Sequence, residues 1–481
     1  MKEKAPRTKR QTNMVEGLST ILLMIILVGI GSGVFKMNFR ILLTISFAYT
    51  LCIAVWRCGY TWKELEECIR ERFMNVFFVF FTLLGIGFLI GTLMVSGCAP
   101  TLVMWLSGFV SPKYILVLSF VLCGILSALI GSNFTSCGSL GVVLFSIGVV
   151  QGVNPFLLAG AIIAGSNVGT YISPVSDAMN FHAGLSNITV IEFIKEMRIH
   201  TIITCIICTL LYLFLGFGIG DATPEALANL ATFREEVQTV FNTNPIVVLP
   251  LVVMMVLSIL KVNINITLYV SSFVGILIGY LFQGFSLKTC LEAGYSGFSA
   301  ATMIPEGVEV GSTLATLVNR GGMMSLAGTV IIFMFAASNV AVMGRIGALE
   351  NLKQLFAAIP AKTRPALVIK TALFCLLFTF ASSDNGTTGL VAYDTYGDDF
   401  KARGYDPVKV TVINKAWAPI GTNSMPWCSN AAGQAGFYGL SSSLLYFPYS
   451  FIFIVEALVV VVLFCLGIDI EKKTMPAADA A

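Results

Sequence analysis

The chain has 481 residues, 56% of them apolar and 11% charged, with a mean hydropathy of +0.86. So little polar surface cannot cover a water-facing fold, and the solvent around most of the chain must be lipid. The formal charge of +3, dispersed in short loops, excludes a nucleic-acid-binding surface.

In chain order, the N-terminus carries Lys2, Lys4, Arg7, Lys9 and Arg10 before an apolar run without a small-residue cleavage site, so a retained first helix is expected. A span needs about 20 mostly apolar residues, because the hydrocarbon layer is about 30 Å thick and a helix rises about 1.5 Å per residue. Candidate spans run near 17–35, 39–56, 74–96, 113–131, 136–151, 155–176 and 200–219, then 245–260, 264–283, 322–343, 365–382, 386–396, 408–428 and 447–467. Shorter or Gly-rich pieces near 98–109 and 293–319 read as re-entrant or interfacial. The fold class expected is an all-α polytopic membrane protein of about 11–14 transmembrane helices.

Lys and Arg in short loops stay on the cytoplasmic side. That rule puts Arg57, Lys63, Arg70 and Arg72 inside with the N-terminus, as it does Lys195 with Arg198, Arg345 with Lys353, Lys362 with Arg364, and the tail pair Lys472 and Lys473. The acid-leaning loop 221–236 falls outside. Segments 61–73 and 350–358 have amphipathic spacing and read as helices lying on the membrane surface. The twelve Cys lie mostly in apolar runs and read as small hydrophobes; Cys205 and Cys208 spell C-x-x-C but lack a second pair or nearby His, whereas structural zinc needs four ligands.

An internal repeat locates a site. At an offset of 252 positions, Gly169, Thr170 and Pro174 meet Gly421, Thr422 and Pro426, giving G-T-x-x-x-P twice. In the same register Asn133 meets Asn385, Thr135 meets Thr387, Gly152 meets Gly404, Pro155 meets Pro407, and Ala183-Gly184 meets Ala435-Gly436. Loop charges make 113–131 run inward and 365–382 run outward, so the two units form an inverted-topology repeat with discontinuous helices. Such repeats bind substrate and coupling ion at their interface. The organisation expected is a cytoplasmic tail (1–16), peripheral helices (17–73), a first repeat unit (74–199), connecting helices with an external loop (200–292), a second unit (293–440), and a final helix with a cytoplasmic tail (441–481).

Polar, Gly-rich stretches at 131–138, 165–180, 382–388 and 421–430 interrupt otherwise apolar sequence. Backbone groups left without partners in hydrocarbon cost several kcal/mol each, so these stretches must line a cavity or coordinate something. Asp177 and Asp384 sit at the two halves' breaks, where a carboxylate can hold Na⁺ with oxygens of Ser132, Asn133, Thr135, Thr170, Ser173, Ser176, Asn385, Thr387 and Thr422, or carry a proton. Each Asp is also a candidate helix N-cap. Lys415, about one turn before the second break, is open to four readings: a fixed charge standing where another transporter would place a cation, a pair with Asp384, a hold on a substrate carboxylate, or snorkelling to the cytoplasmic surface. Glu306, Glu309, Asn319 and Arg320 crowd one Gly-rich stretch as gating or pairing candidates, with Lys370 and Asp394 weaker. The two His, His182 and His200, make no metal constellation, and no phosphate-binding or nucleophile motif occurs. No cofactor is expected beyond a bound Na⁺.

At these residues the chain resembles the NhaC-type sodium/proton antiporter family of the ion transporter superfamily, which includes sodium-linked exchangers of small organic anions. The resemblance covers roughly residues 74–460: 131–141 and its helix to Gly148, 159–180 with an S-P-x-S-D core, Asn319-Arg320-Gly321-Gly322, Asp384 and the run to Lys401-Ala402-Arg403-Gly404, Pro426-Trp427, and Tyr446-Phe447-Pro448-Tyr449. It implies a bacterial inner-membrane antiporter with both termini cytoplasmic and with Asp177 and Asp384 at ion-site positions. Two departures stand out. Thr170 replaces an Asp usual in the family, and Lys415-Ala416 replaces an acidic pair before the P-W break. Fewer acids and one added cation favour a site that accepts an anion, so exchange of a small carboxylate or amino acid is expected beside plain Na⁺/H⁺ antiport. An ion channel is the alternative, and channels usually build their pores from symmetric subunits. The partners expected are the transported ions, such a solute, and the bilayer, with pairing of two copies left open.

Overall fold

The computed structural model describes residues 9–471 except 33, 34, 36, 109, 221–223 and 305–309. Among these, all regular structure is helical apart from one isolated bridge between Tyr405 and Glu471. Nine described helices are long and apolar enough to cross a membrane, or ten if Leu230–Val240 and Pro245–Ile259, bent by 97° at their junction, form one span. Two shorter apolar helices, Met14–Ile26 and Phe451–Leu466, accompany them. The chain is a polytopic all-α membrane protein.

The lipid-facing surface shows in the helix Val190–Ile219. Ile199, Ile202, Ile206, Leu210, Phe214 and Phe217, spaced three or four apart, are 37% to 72% exposed, while Phe193, Met197, Thr201, Thr204, Cys208 and Tyr212 on the other face are buried. An apolar stripe left open on one face, with small and polar groups packed inward, is what a lipid solvent selects.

Two expectations are corrected. Segment 61–73 is the opening of one continuous 34-residue helix, Trp62–Val95, rather than a separate surface helix. Thr61 and Glu64 cap its start, and no Gly or Pro separates the amphipathic turns from the apolar ones; at about 50 Å the helix outruns the hydrocarbon layer. Segment 221–236, read as a loop, contributes most of the helix Pro224–Val240, because Leu230, Phe233 and Val237 recur at helical spacing and are buried.

The elements that position the site come in two similar sets. Each set is a helical hairpin followed by a broken helix. The first hairpin has arms Pro112–Ile130 and Asn133–Val150, and the first broken helix is Pro155–Ile172 plus Asp177–Leu185. The second hairpin has arms Arg364–Ser382 and Asn385–Ala402, and the second broken helix is Val408–Ser424 plus Ser429–Phe437. The hairpin bases are tied by side chains reaching back to the preceding chain: Gln151 Nε2 donates to the Ser107 carbonyl at 3.2 Å, and Arg403 Nη1 to the Thr363 carbonyl at 3.4 Å.

The first hairpin packs backbone to backbone on its broken helix. A Cβ at Gly165 would lie 2.2 Å from the Phe120 carbonyl oxygen, and one at Gly169 2.3 Å from that of Ser127. Small residues four apart let the two helices approach this closely.

Candidate functional site

Both hairpins turn on a residue in the left-handed region. Gly131 (φ +80°) ends the first arm, and a Cβ there would meet the Val175 backbone at 2.9 Å, inside the break of the first broken helix. At the second tip Ser383 (φ +56°) has this conformation without being Gly. Its hydroxyl accepts from Trp427 Nε1 at 3.1 Å, from the break of the second broken helix. Each tip is thus held against the break of its own half.

The breaks are narrower than the polar stretches that announce them. They occupy 173–176, around Pro174, and 425–428, around Pro426. The freed carbonyl of Ser424 is taken by the Ser443 hydroxyl at 2.7 Å, and Tyr446 Oη donates to the carbonyls of Asn423 (3.3 Å) and Ala431 (3.2 Å). In the first half, Asn180 Nδ2 donates to the Ser176 carbonyl at 2.9 Å.

Both tips and both breaks open onto one cavity of about 750 Å³. Of the residues singled out from sequence, Ser132, Asn133, Thr135, Thr170, Ser176, Asp177, Asp384, Asn385, Lys415 and Thr422 line it. Ser173 does not: it is buried at the break and its hydroxyl finds no partner among the described residues. Thr387 faces a second cavity of about 340 Å³ beside Arg72 and Arg345, yet it reaches the first indirectly. Its N–H and hydroxyl donate to Asp384 Oδ2 at 2.8 and 2.5 Å, and the Gly386 N–H donates to Oδ1 at 3.4 Å. Asp384 is therefore an N-cap and a cavity-lining group at once. Asp177 begins the helix after the first break, with Ser176 at its N-cap position.

Three asparagines that sequence reasoning did not single out join the halves. Asn133 Nδ2 donates to Oδ1 of Asn167 (3.1 Å) and of Asn430 (3.2 Å), and Asn430 Nδ2 donates to Asn423 Oδ1 (2.7 Å). All three line the cavity, and all lie inside the flagged stretches 165–180 and 421–430. Lys261, in a left-handed turn (φ +57°), and Asn263 line it too, from a connection carrying no repeat signal.

Lys415 sits in Val408–Ser424, ten residues before Met425; the helix continues through Pro419, so the residue is nearly three turns from the break rather than about one. It is 2% exposed, with Nζ 4.8 Å from the centre of the Tyr171 ring. No described carboxylate lies within 4 Å of it, so neither the Asp384 pair nor the snorkelling position is seen.

The remaining candidates stand elsewhere. Asn319 Oδ1 accepts from the Ala300 N–H at 2.6 Å, and Arg320 donates to the Leu317 carbonyl at 2.7 Å and lies over Phe145. Their partners in the gating reading, Glu306 and Glu309, lie outside the described residues. Lys370 lies over Tyr396, and Asp394 is exposed.

A polar cavity lined by the tips of two hairpins and the interruptions of two helices, in an all-α membrane fold, is the arrangement of a protein of the carrier type. The chain belongs to the Na⁺/H⁺ antiporter family, whose model matches residues 172–468. A second model, for the DctM component of tripartite ATP-independent periplasmic transporters, matches residues 1–218. Among relatives, an uncharacterized Na⁺/H⁺ antiporter of Haemophilus influenzae is 27% identical, over 92% of this chain and 94% of its own. The malate-2H⁺/Na⁺-lactate antiporter of Bacillus subtilis is 23% identical, over 82% of each chain. The Na⁺/H⁺ antiporter NhaC of the same organism is 26% identical, over 84% of this chain and 87% of its own.

Proposed function

We propose that the chain is a secondary-active antiporter of the NhaC type that moves a small organic anion through the described cavity against Na⁺ or H⁺. The observation that carries this reading is Lys415: a buried cation on the cavity wall with no described carboxylate within 4 Å. A buried charge without a partner costs several kcal/mol, and a substrate carboxylate would supply that partner. Asp177, Asp384 and Lys261 line the same cavity. Two acids against two cations suit a site that holds Na⁺ and an organic anion together better than a site for cations alone.

On this reading Asp177, Asp384 and the hydroxyls of Ser176 and Thr170 supply oxygen ligands for Na⁺, a hard cation. Substrate and ion stabilise each other's binding because each neutralises the other's field. The related malate/lactate antiporter supports an organic anion as cargo, and an amino acid would present the same carboxylate to Lys415. The two hairpin-and-broken-helix sets are read as inverted copies, with both termini cytoplasmic in the plasma membrane.

In proteoliposomes, Lys415→Ala should lower sodium-driven organic-anion flux by about 10- to 100-fold, the range that a lost charged hydrogen bond of about 1.5–3 kcal/mol represents. Unchanged flux in the variant, or vigorous Na⁺/H⁺ exchange by the wild type with no organic solute present, would argue for a plain cation antiporter instead.

A further inference from the structure

The cavity of about 340 Å³ beside the second hairpin tip gathers two guanidiniums from two different helices. Arg72 stands nearly three turns into Trp62–Val95, and Arg345 is the last residue of the helix Met323–Arg345. Arg72 is half-buried. Its Nη2 donates one long hydrogen bond, to the Ser382 carbonyl at 3.4 Å, and its Nε is buried with no partner among the described residues. Nε and Nη2 form an edge of the guanidinium that grips a carboxylate or phosphate through two parallel bonds, and here that edge is almost unused. A buried donor without an acceptor is costly, and a ligand oxygen would remove the cost.

Arg345 is exposed, with its guanidinium carbon 6.0 Å from the centre of the Tyr60 ring, and Tyr60 Oη donates to the Arg345 carbonyl at 3.2 Å. The end of this helix is tied again by Thr12, whose N–H and hydroxyl both donate to the Ile346 carbonyl at 2.9 Å. The guanidinium thus rests on a ring already held in place. Among the described residues, the arginines in ion pairs are Arg10, Arg57 and Arg70. Neither Arg72 nor Arg345 is among them, although the exposed Glu71 lines the same cavity. Two cations against one acid leave the cavity positive. Lys63 and Arg70, exposed in the opening turns of the same helix as Arg72, add to the field. On the orientation proposed above this end of the fold is cytoplasmic, where anionic lipid headgroups and soluble phosphates both occur.

We propose that this second cavity binds a phosphate group between Arg72 and Arg345, at a site separate from the transport cavity. A tetrahedral anion offers oxygens to two forks arriving from different helices, and Val340, Ala341 and Leu349 give the cavity an apolar wall for the rest of a phosphate ester. The headgroup of an anionic phospholipid and a free phosphate share this chemistry. The site borders the second tip: Arg72 reaches the Ser382 carbonyl, and Thr387, which lines this cavity, donates through its N–H at 2.8 Å to Asp384, which lines the other. A bound phosphate therefore braces the tip that carries Asp384 against Trp62–Val95. The inference does not depend on the reading of Lys415.

The test titrates the purified full-length chain calorimetrically, in a nonionic detergent, with inorganic phosphate and separately with water-soluble dihexanoylphosphatidylglycerol. Dihexanoylphosphatidylcholine and L-malate serve as controls. The wild type should bind at least one of the two phosphate probes saturably, and the one that binds identifies the source. Arg72→Gln should weaken that binding by about 10- to 100-fold and Arg345→Gln by about tenfold, as lost charged hydrogen bonds do. Arg345 is exposed, so its variant keeps the test open if Arg72→Gln fails to fold. Arg345→Lys should recover only part of the loss, because an ammonium keeps the charge without the fork. Lys415→Ala should leave phosphate binding within about twofold of the wild type, as expected of separate sites. The inference is overturned if the wild type binds neither probe, if both arginine variants bind as the wild type does, or if the choline lipid binds equally well. Phosphate binding lost in Lys415→Ala overturns it too, by placing the anion in the transport cavity, as does malate binding that Arg345→Gln weakens as much as phosphate binding.

Discussion

Replacing Asp384 by Asn is expected to lower sodium-driven flux by about 10- to 100-fold while leaving the unfolding temperature close to that of the wild type. The carboxylate does two things that this exchange separates. As an N-cap it accepts the N–H groups of Gly386 and Thr387, and Asn caps a helix about as well as Asp. As a cavity group it brings a full negative charge to the tip of the second hairpin, and Asn brings none. Loss of a charged ligand worth about 1.5–3 kcal/mol corresponds to the stated fall in flux. Asp384→Ala should add a loss of about 1 kcal/mol in stability, because the cap goes too. Wild-type flux through Asp384→Asn would leave the residue a cap and nothing more.

Replacing Lys409 by Met should destabilise the fold by about 3–5 kcal/mol, the cost of removing one member of a buried ionic cluster. Lys409 is fully buried near the start of the second broken helix, and its ammonium donates to Glu196 and, at 3.0 Å, to Asp469. It ties that helix to the long helix Val190–Ile219 and to the end of the chain, where the Asp406 N–H also donates to the Ile470 carbonyl at 3.2 Å. Without the cation the two carboxylates repel each other in a poorly hydrated place. Thermal unfolding in detergent should show the loss, and adding Glu196→Gln and Asp469→Asn should recover most of it. A midpoint unmoved by Lys409→Met would mean that the cluster is well hydrated.

How far the site is legible in the sequence depends on whether its signal is local. Pro174 and Pro426 sit in polar stretches within apolar runs, and the offset of 252 positions pairs them, so both breaks and most cavity-lining residues can be read directly. The breaks prove only four residues long, because Asn, Ser and Gly flanking a Pro fit a helix wherever neighbouring side chains satisfy them. Lys415 reads as nearer its break than it is because the polar stretch opens at Gly421, whereas the helix runs on to Ser424. The Lys409 cluster joins residues 213 and 60 positions apart in sequence, and no periodicity announces such a partner. Thr387 and Ser173 fall just outside the cavity because a tip or break presents only alternate residues to one side.

Thr170 and Thr422 occupy equivalent positions in the two halves, and both line the cavity. Each can be replaced by Cys in an active chain freed of its own cysteines, and the rate of modification by a charged thiol reagent then reports access to the cavity. If both halves enclose one cargo, Na⁺ together with a transported anion should slow modification at both positions by about tenfold, the factor that 1.4 kcal/mol of occupancy represents. Protection at one position alone, or at neither while transport proceeds, would contradict a shared site between the hairpin tips.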